Sequence, residues 1–318
     1  MLRRVPLPLA GVMLGLVGLG NLLQSYGEPI RMVCGILATV MGIVLVAKVA
    51  LYPEDFRRDM ANPMLASIAG TFPMALLLLA GYAKPVLEPL GYLLWYLGLA
   101  LHLALIVWFT ARYVLHFQLK QVFPSWYIVY VGIVAASITA PAMGRADVGT
   151  VAFWFGVVTF MLVSVAVALR YLRVGELPVP ARPVLCICTA PASLCVVGYV
   201  QSVTPKSVGF LVLMEVVASV IFLGVLTQLP RLLAARKFAP SFAAYTFPLV
   251  ITATALKQTM ACLAKLGSPA PWLQLPVLVE TVIATLILVY ALVRYLMFVF
   301  AADEAGDGEG QKEAPAKA

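Results

Sequence analysis

Long unbroken apolar stretches, not alternating apolar and polar positions, dominate the chain. Ten runs can be placed: Pro6–Gln24, Met32–Tyr52, Pro63–Ala83, Leu90–Leu115, Trp126–Met143, Val148–Leu172, Val184–Val203, Ser207–Leu229, Ser241–Leu266 and Trp272–Phe300. A helix needs about 20 apolar residues to cross a bilayer. Continuous runs of this length predict helices and exclude a transmembrane β-barrel, whose strands alternate. The expected architecture is all-α integral membrane, with residues 1–300 forming one ten-helix domain. The first run follows Met1-Leu2-Arg3-Arg4 like a signal peptide, but it carries Pro6 and Pro8 and lacks a small-residue cleavage site. It is read as a retained first helix. Residues 301–318 are rich in Glu, Asp, Gly, Lys and Ala with no apolar period, and are expected to be a disordered cytoplasmic tail.

Composition agrees with this reading. Of 318 residues, 63% are hydrophobic and 11% charged, against about 45–50% and about 25% in soluble domains. The formal net charge of +8 raises the question of nucleic acid, but the basic residues sit in short loops, where they orient a membrane protein. Sixteen of the 22 lysines and arginines, Arg3, Lys120 and Arg236 among them, fall on the side of the N-terminus. Five (Arg31, Lys84, Arg145, Lys206 and Lys265) fall on the other, and Lys257 lies within a run. The positive-inside rule then predicts an inner (plasma) membrane protein with both termini in the cytoplasm and the bilayer, not nucleic acid, as its surroundings. Cys34, Cys186, Cys188, Cys195 and Cys262 all lie inside apolar runs, so no disulfide framework is implied.

The odd-numbered runs share a register. Thr71-Phe72-Pro73, Thr189-Ala190-Pro191 and Thr246-Phe247-Pro248 align with Tyr130-Val131-Gly132 and with Gly11-Val12-Met13. The third residues of these triplets recur with a near-constant period, as five copies of a two-helix unit would. Two-helix repeats all run in the same direction, so they are related by an axis along the membrane normal. The simplest closed form is a quasi-five-fold ring of five helical hairpins around a central pore, odd helices inside. The inner helices are expected to kink at Pro73, Gly132, Pro191 and Pro248, where proline or glycine loosens the backbone. Five helices about 9.5 Å apart leave a hole of roughly 3 Å radius, enough for a small ion and small enough for one ring to plug. The residue before each kink then faces the hole: Val12, Phe72, Val131, Ala190 and Phe247. Thr71, Thr189 and Thr246 are expected beside them as further lining.

Ionisable groups inside a membrane are candidates for function. Lys257 on the ninth run and Glu215 and Glu280 on the eighth and tenth lie about 12–13 Å deep at 1.5 Å per residue. They are expected either to form a neutralising intramembrane ion pair or to place Lys257 at the outer pore as an anion attractor. Other chemistry finds little support. His102 and His116 are spaced like stacked haem ligands, but the chain has no further histidines to complete the axial pairs. Cys186, Cys188 and Cys195 lack a metal-binding loop. No nucleotide-binding loop is present. No cofactor, no metal and no enzymatic activity are expected.

The ten-helix plan, the Pro6-Leu7-Pro8 opening and Ala244-Tyr245-Thr246-Phe247-Pro248-Leu249 resemble the tellurite-resistance/dicarboxylate transporter family, which includes TehA-type bacterial proteins and the plant guard-cell slow anion channels. The resemblance covers nearly the whole chain except the tail. It implies five hairpins around an anion-conducting pore, a homotrimer, and occlusion by the ninth-helix phenylalanine, here Phe247, with Phe72 as a second gate by repeat register. Met13 departs from the proline common at that position. A narrow neutral pore favours chloride or nitrate over dianions, whose dehydration cost rises with the square of charge. Two alternatives stay open. One is a proton-coupled or facilitative transporter of a C4-dicarboxylate, sulfite or tellurite-type oxyanion. The other is a non-conducting scaffold or sensor.

Overall fold

A computed structural model describes residues 2–234 and 238–300. The disordered-tail expectation therefore lies outside the described residues. In chain order the α-helices are α1 (Leu9–Leu23), α2 (Glu28–Leu51), α3 (Pro53–Met60), α4 (Pro63–Ile68), α5 (Thr71–Ala83), α6 (Glu88–Phe109) and α7 (Trp126–Tyr130). They continue with α8 (Ala135–Thr139), α9 (Ala146–Val174), α10 (Ala190–Ser202), α11 (Val208–Leu233), α12 (Phe247–Lys265) and α13 (Gln274–Phe300). No strand occurs among the described residues.

Nine helical segments among the described residues are long and apolar enough to cross a membrane. They match nine of the ten runs. The remaining run, Trp126–Met143, is helical but divided into α7, a 3-10 turn at Gly132–Val134, and α8. Burial sorts the spans into two sets. Between 67 and 83% of the first, third, seventh and ninth spans is buried, against 22–33% of the even-numbered ones. Most of 126–139 is buried as well. The even helices α2, α6, α9, α11 and α13 display leucine, valine and isoleucine outward, which suits a surface bathed in lipid.

The inner segments pack in a fixed order. α1 lies against α5, α5 against α8, α8 against α10, α10 against α12, and α12 against α1. Each outer helix contacts its own inner partner and also the inner segment of a neighbouring hairpin: α2 touches α5, α6 touches α7, α9 touches α10, α11 touches α12 and α13 touches α1. At the face holding the N-terminus, α3 carries an acidic first turn, and Asp55 accepts from Arg3 at 3.1 Å. That hydrogen bond holds the Asp55 carboxyl below its usual range.

Four of the five inner spans are broken near mid-length. The second is interrupted between α4 and α5, the third at Gly132–Val134, the fourth where the 3-10 segment Val179–Thr189 gives way to α10, and the fifth where Pro240–Tyr245 gives way to α12. The kinks expected at Pro73, Gly132, Pro191 and Pro248 all fall at or just after these breaks. Pro191 and Pro248 are each the second residue of a new helix, where the missing N–H has no partner to lose. α1 is different. It runs unbroken through Val12 and Met13, after a turn at Pro6–Pro8.

Candidate functional site

A cavity of about 40 Å³ sits where the breaks meet. One water needs about 10–15 Å³ of such space, so the cavity has room for about three or four. Every inner span contributes: Gly11 and Leu14 from the first; Ile68, Thr71 and Met74 from the second; Tyr127, Ile128, Val131 and Gly132 from the third; Ile187, Ala190, Pro191 and Leu194 from the fourth; Ser241, Ala243, Ala244, Phe247 and Pro248 from the fifth. None of these side chains carries a formal charge at neutral pH. The first residues of α5, α10 and α12, namely Thr71, Ala190 and Phe247, border the cavity. Each such terminus carries roughly half a positive charge from its aligned peptide dipoles.

The sequence-derived candidates divide here. Phe247, Val131, Ala190 and Thr71 border the cavity. Val12, Thr189 and Thr246 do not, and each is wholly buried in packing. Phe72 is also elsewhere: it lies in the lateral groove between α2 and α6, beside Leu76 and Leu79. The cause is a one-residue shift of the break. α5 already begins at Thr71, whereas Thr246 stands outside the helix (φ −90°, ψ −92°) and α12 begins at Phe247. Successive helical side chains diverge by about 100°, so this shift exchanges the residue that faces the axis.

The three threonines have a common task instead. Thr71 Oγ1 donates to Ile68 O at 2.8 Å, Thr189 Oγ1 to Cys186 O at 3.0 Å, and Thr246 Oγ1 lies 2.7 Å from Ala243 O. Each hydroxyl faces a carbonyl three residues back at the break; Ala243 O accepts the Thr246 backbone N–H as well. Thr246 Oγ1 also lies 2.8 Å from Gly11 O, linking the fifth inner span to the first.

Two glycines on α1 fit this seam. A Cβ at Gly15 would stand 2.6 Å from Thr246 Cβ, and one at Gly18 would stand 3.2 Å from Phe247 Cδ2. The Phe247 ring thus rests against bare α1 backbone. The sequence carried a signal for this, Gly11, Gly15 and Gly18 at helical spacing, which is the small-residue pattern of close membrane-helix contacts.

Lys257, Glu215 and Glu280 form no ion pair in the structure, and the sequence expectation is corrected on this point. The Lys257 ammonium donates to Leu22 O at 2.7 Å and Ser25 Oγ at 2.6 Å, at the far end of α1. Glu215 accepts from Thr259 at 2.9 Å and from Ser219 at 3.3 Å. Polar groups closer than the opposite charge satisfy both residues. Lys257→Met should therefore lower stability by about 2 kcal/mol through lost charged hydrogen bonds. Combined with Glu215→Gln, the two effects should add within about 0.5 kcal/mol in detergent unfolding measurements. A larger coupling would reinstate the pair.

His102 is wholly buried on α6 behind the third break. Among the described residues no group of three or more histidine, cysteine or acidic side chains is placed to hold a metal. The model for the voltage-dependent anion channel family, SLAC1, matches residues 4–297. The chain belongs to the SLAC1 family. The resemblance read from the ten-helix plan and the helix-nine segment is borne out, and this SLAC1-family chain is a multi-pass membrane protein of anion transport. SLAC1-family members are channels and transporters, not enzymes. No curated protein matches the chain.

Proposed function

We propose that the five hairpins close into a quasi-five-fold ring and that chloride or nitrate crosses the membrane passively through its centre, with Phe247 as the gate. The observation that carries this reading is the position of Phe247 in an uncharged cavity bordered by all five inner spans. The cyclic order of inner contacts supports the ring. The converging N-termini of α5, α10 and α12 supply a positive potential without a fixed ion to trap the permeant species. A monovalent anion loses least hydration energy in such a site, because a dianion of equal size pays about four times as much. No acid or histidine borders the cavity to relay a proton, which favours passive conduction over coupling. The family resemblance supports a homotrimer.

Purified protein in liposomes should pass chloride and nitrate far faster than malate, with no requirement for a pH gradient. Malate flux that collapses without a gradient would favour a coupled transporter. No flux of any anion, even after Phe247→Ala, would favour a scaffold. The loop charges support an inner-membrane placement with both termini in the cytoplasm. A cysteine replacing Lys120 should react only from the cytoplasm, and one replacing Lys206 only from outside; the reverse labelling would overturn that orientation.

A further inference from the structure

The third inner span lacks the device used by three of the others. At its break stand Tyr130, Val131 and Gly132, so no threonine hydroxyl is available at the position of Thr71, Thr189 or Thr246. Proline is missing as well. The Tyr130 hydroxyl is engaged elsewhere, 2.8 Å from Thr110 Oγ1 on the π-helical turn that continues α6. The break nevertheless forms, and it places Val131 and Gly132 on the cavity wall.

A donor reaches it from outside the span. His102 Nε2 lies 3.0 Å from Val129 O, three residues before Gly132. A carbonyl can only accept, so the proton is on Nε2 and Nδ1 bears a lone pair. Nδ1 is buried and has no partner, so this is the one polar contact of the ring. Gly132 makes the approach feasible. A Cβ there would stand 2.9 Å from His102 Cε1 and 2.7 Å from Met74 Sδ. Ring, carbonyl and glycine form one unit, with the cavity on its other side.

We propose that His102 is the positioning residue of the third inner span: its Nε2–H replaces the missing threonine at the break and so sets where Val131 and Gly132 stand in the pore wall. Without that donor the Val129 carbonyl is buried and unpaired. The span then relieves it by closing the helical ladder across 129–133, which turns Val131 relative to the axis. His102 does not touch the permeant ion. It acts through the shape of the wall, and therefore on which ions fit. The consequence for flux rests on the pore reading above; the placement of Val131 does not.

Two readouts separate the cases. The first is the rate at which a small thiol reagent modifies Val131→Cys in full-length protein whose five native cysteines are replaced. The second is the chloride-to-nitrate flux ratio in the Phe247→Ala background. His102→Leu should change each by about fivefold, the equivalent of one net hydrogen bond. His102→Gln, which can still donate to Val129 O, should stay within about twofold of the parent, since its amide supplies the same bond. A rise in unfolded protein alone would lower total flux but would leave the ion ratio and the modification rate of folded protein unchanged. If His102→Leu does not fold, Gly132→Ala decides the matter, because its new Cβ displaces the same ring. Unchanged Val131→Cys modification in whichever of these variants folds would overturn the proposal. Failure of every protein to conduct, with altered modification, would instead overturn the pore reading and leave His102 in its role.

Discussion

Phe247→Ala raises anion flux by tenfold or more, since each factor of ten corresponds to only about 1.4 kcal/mol of barrier. The ring is 4% exposed and shares the cavity with residues from four other spans. Its removal enlarges a space of about 40 Å³, and Thr71, Ser241 and the helix N-termini around it stay in place. The barrier lowered is steric, so conductance should rise for chloride and nitrate together. Phe72→Ala is the control. That ring lies in the lateral groove beside α2, and its loss should leave flux unchanged. Equal currents in wild type and Phe247→Ala, with both proteins folded, would make Phe247 a packing residue. An equal rise in Phe72→Ala would return the second ring to the pore.

Gly15→Val gives the second large effect, on stability. The new Cβ would meet Thr246 Cβ at 2.6 Å, Thr246 Oγ1 at 2.8 Å and the Phe247 backbone N at 3.1 Å. None of these is the free end of a flexible chain. Thr246 is tied to Gly11 O and Ala243 O, so the seam between α1 and α12 must open. Overpacking of this kind costs about 1–3 kcal/mol, which lowers the apparent melting temperature in detergent by several degrees. Gly15→Ala should show a smaller drop, having less volume to place. A melting temperature equal to wild type for Gly15→Val would mean that α1 and α12 are not in this contact.

The spans were legible in the sequence because a bilayer imposes a length and an apolar run, and both survive without knowledge of packing. Nine of the ten runs are long and apolar enough to qualify as spanning helices, three of them across a break, and the tenth is divided into α7, the turn at Gly132–Val134 and α8. The breaks just before Pro73, Pro191 and Pro248 were equally visible, since proline acts locally. Facing was harder to read. Repeat alignment expected Val12, Phe72, Thr189 and Thr246 at the pore, and none of the four borders the cavity. The alignment carries no information on whether a helix starts at a given residue or one residue later, and that one step rotates the side chain by about 100°. Lys257 shows a similar limit. Its depth matched that of Glu215 and Glu280, but depth does not fix azimuth, and nearby carbonyl and hydroxyl oxygens took the ammonium.

The seam between α1 and α12 also has a history in time. The bond from Thr246 to Gly11 O joins residues 235 apart in the chain. At roughly 5–20 residues per second of synthesis, α1 is complete about 10–50 s before its partner exists. Through that interval the backbone face at Gly15 and Gly18 has no native neighbour, while the spans between them are threaded and docked in turn. Only α13, which touches both α1 and α12, is made later, so the contact between α1 and the Phe247 ring is among the last to form.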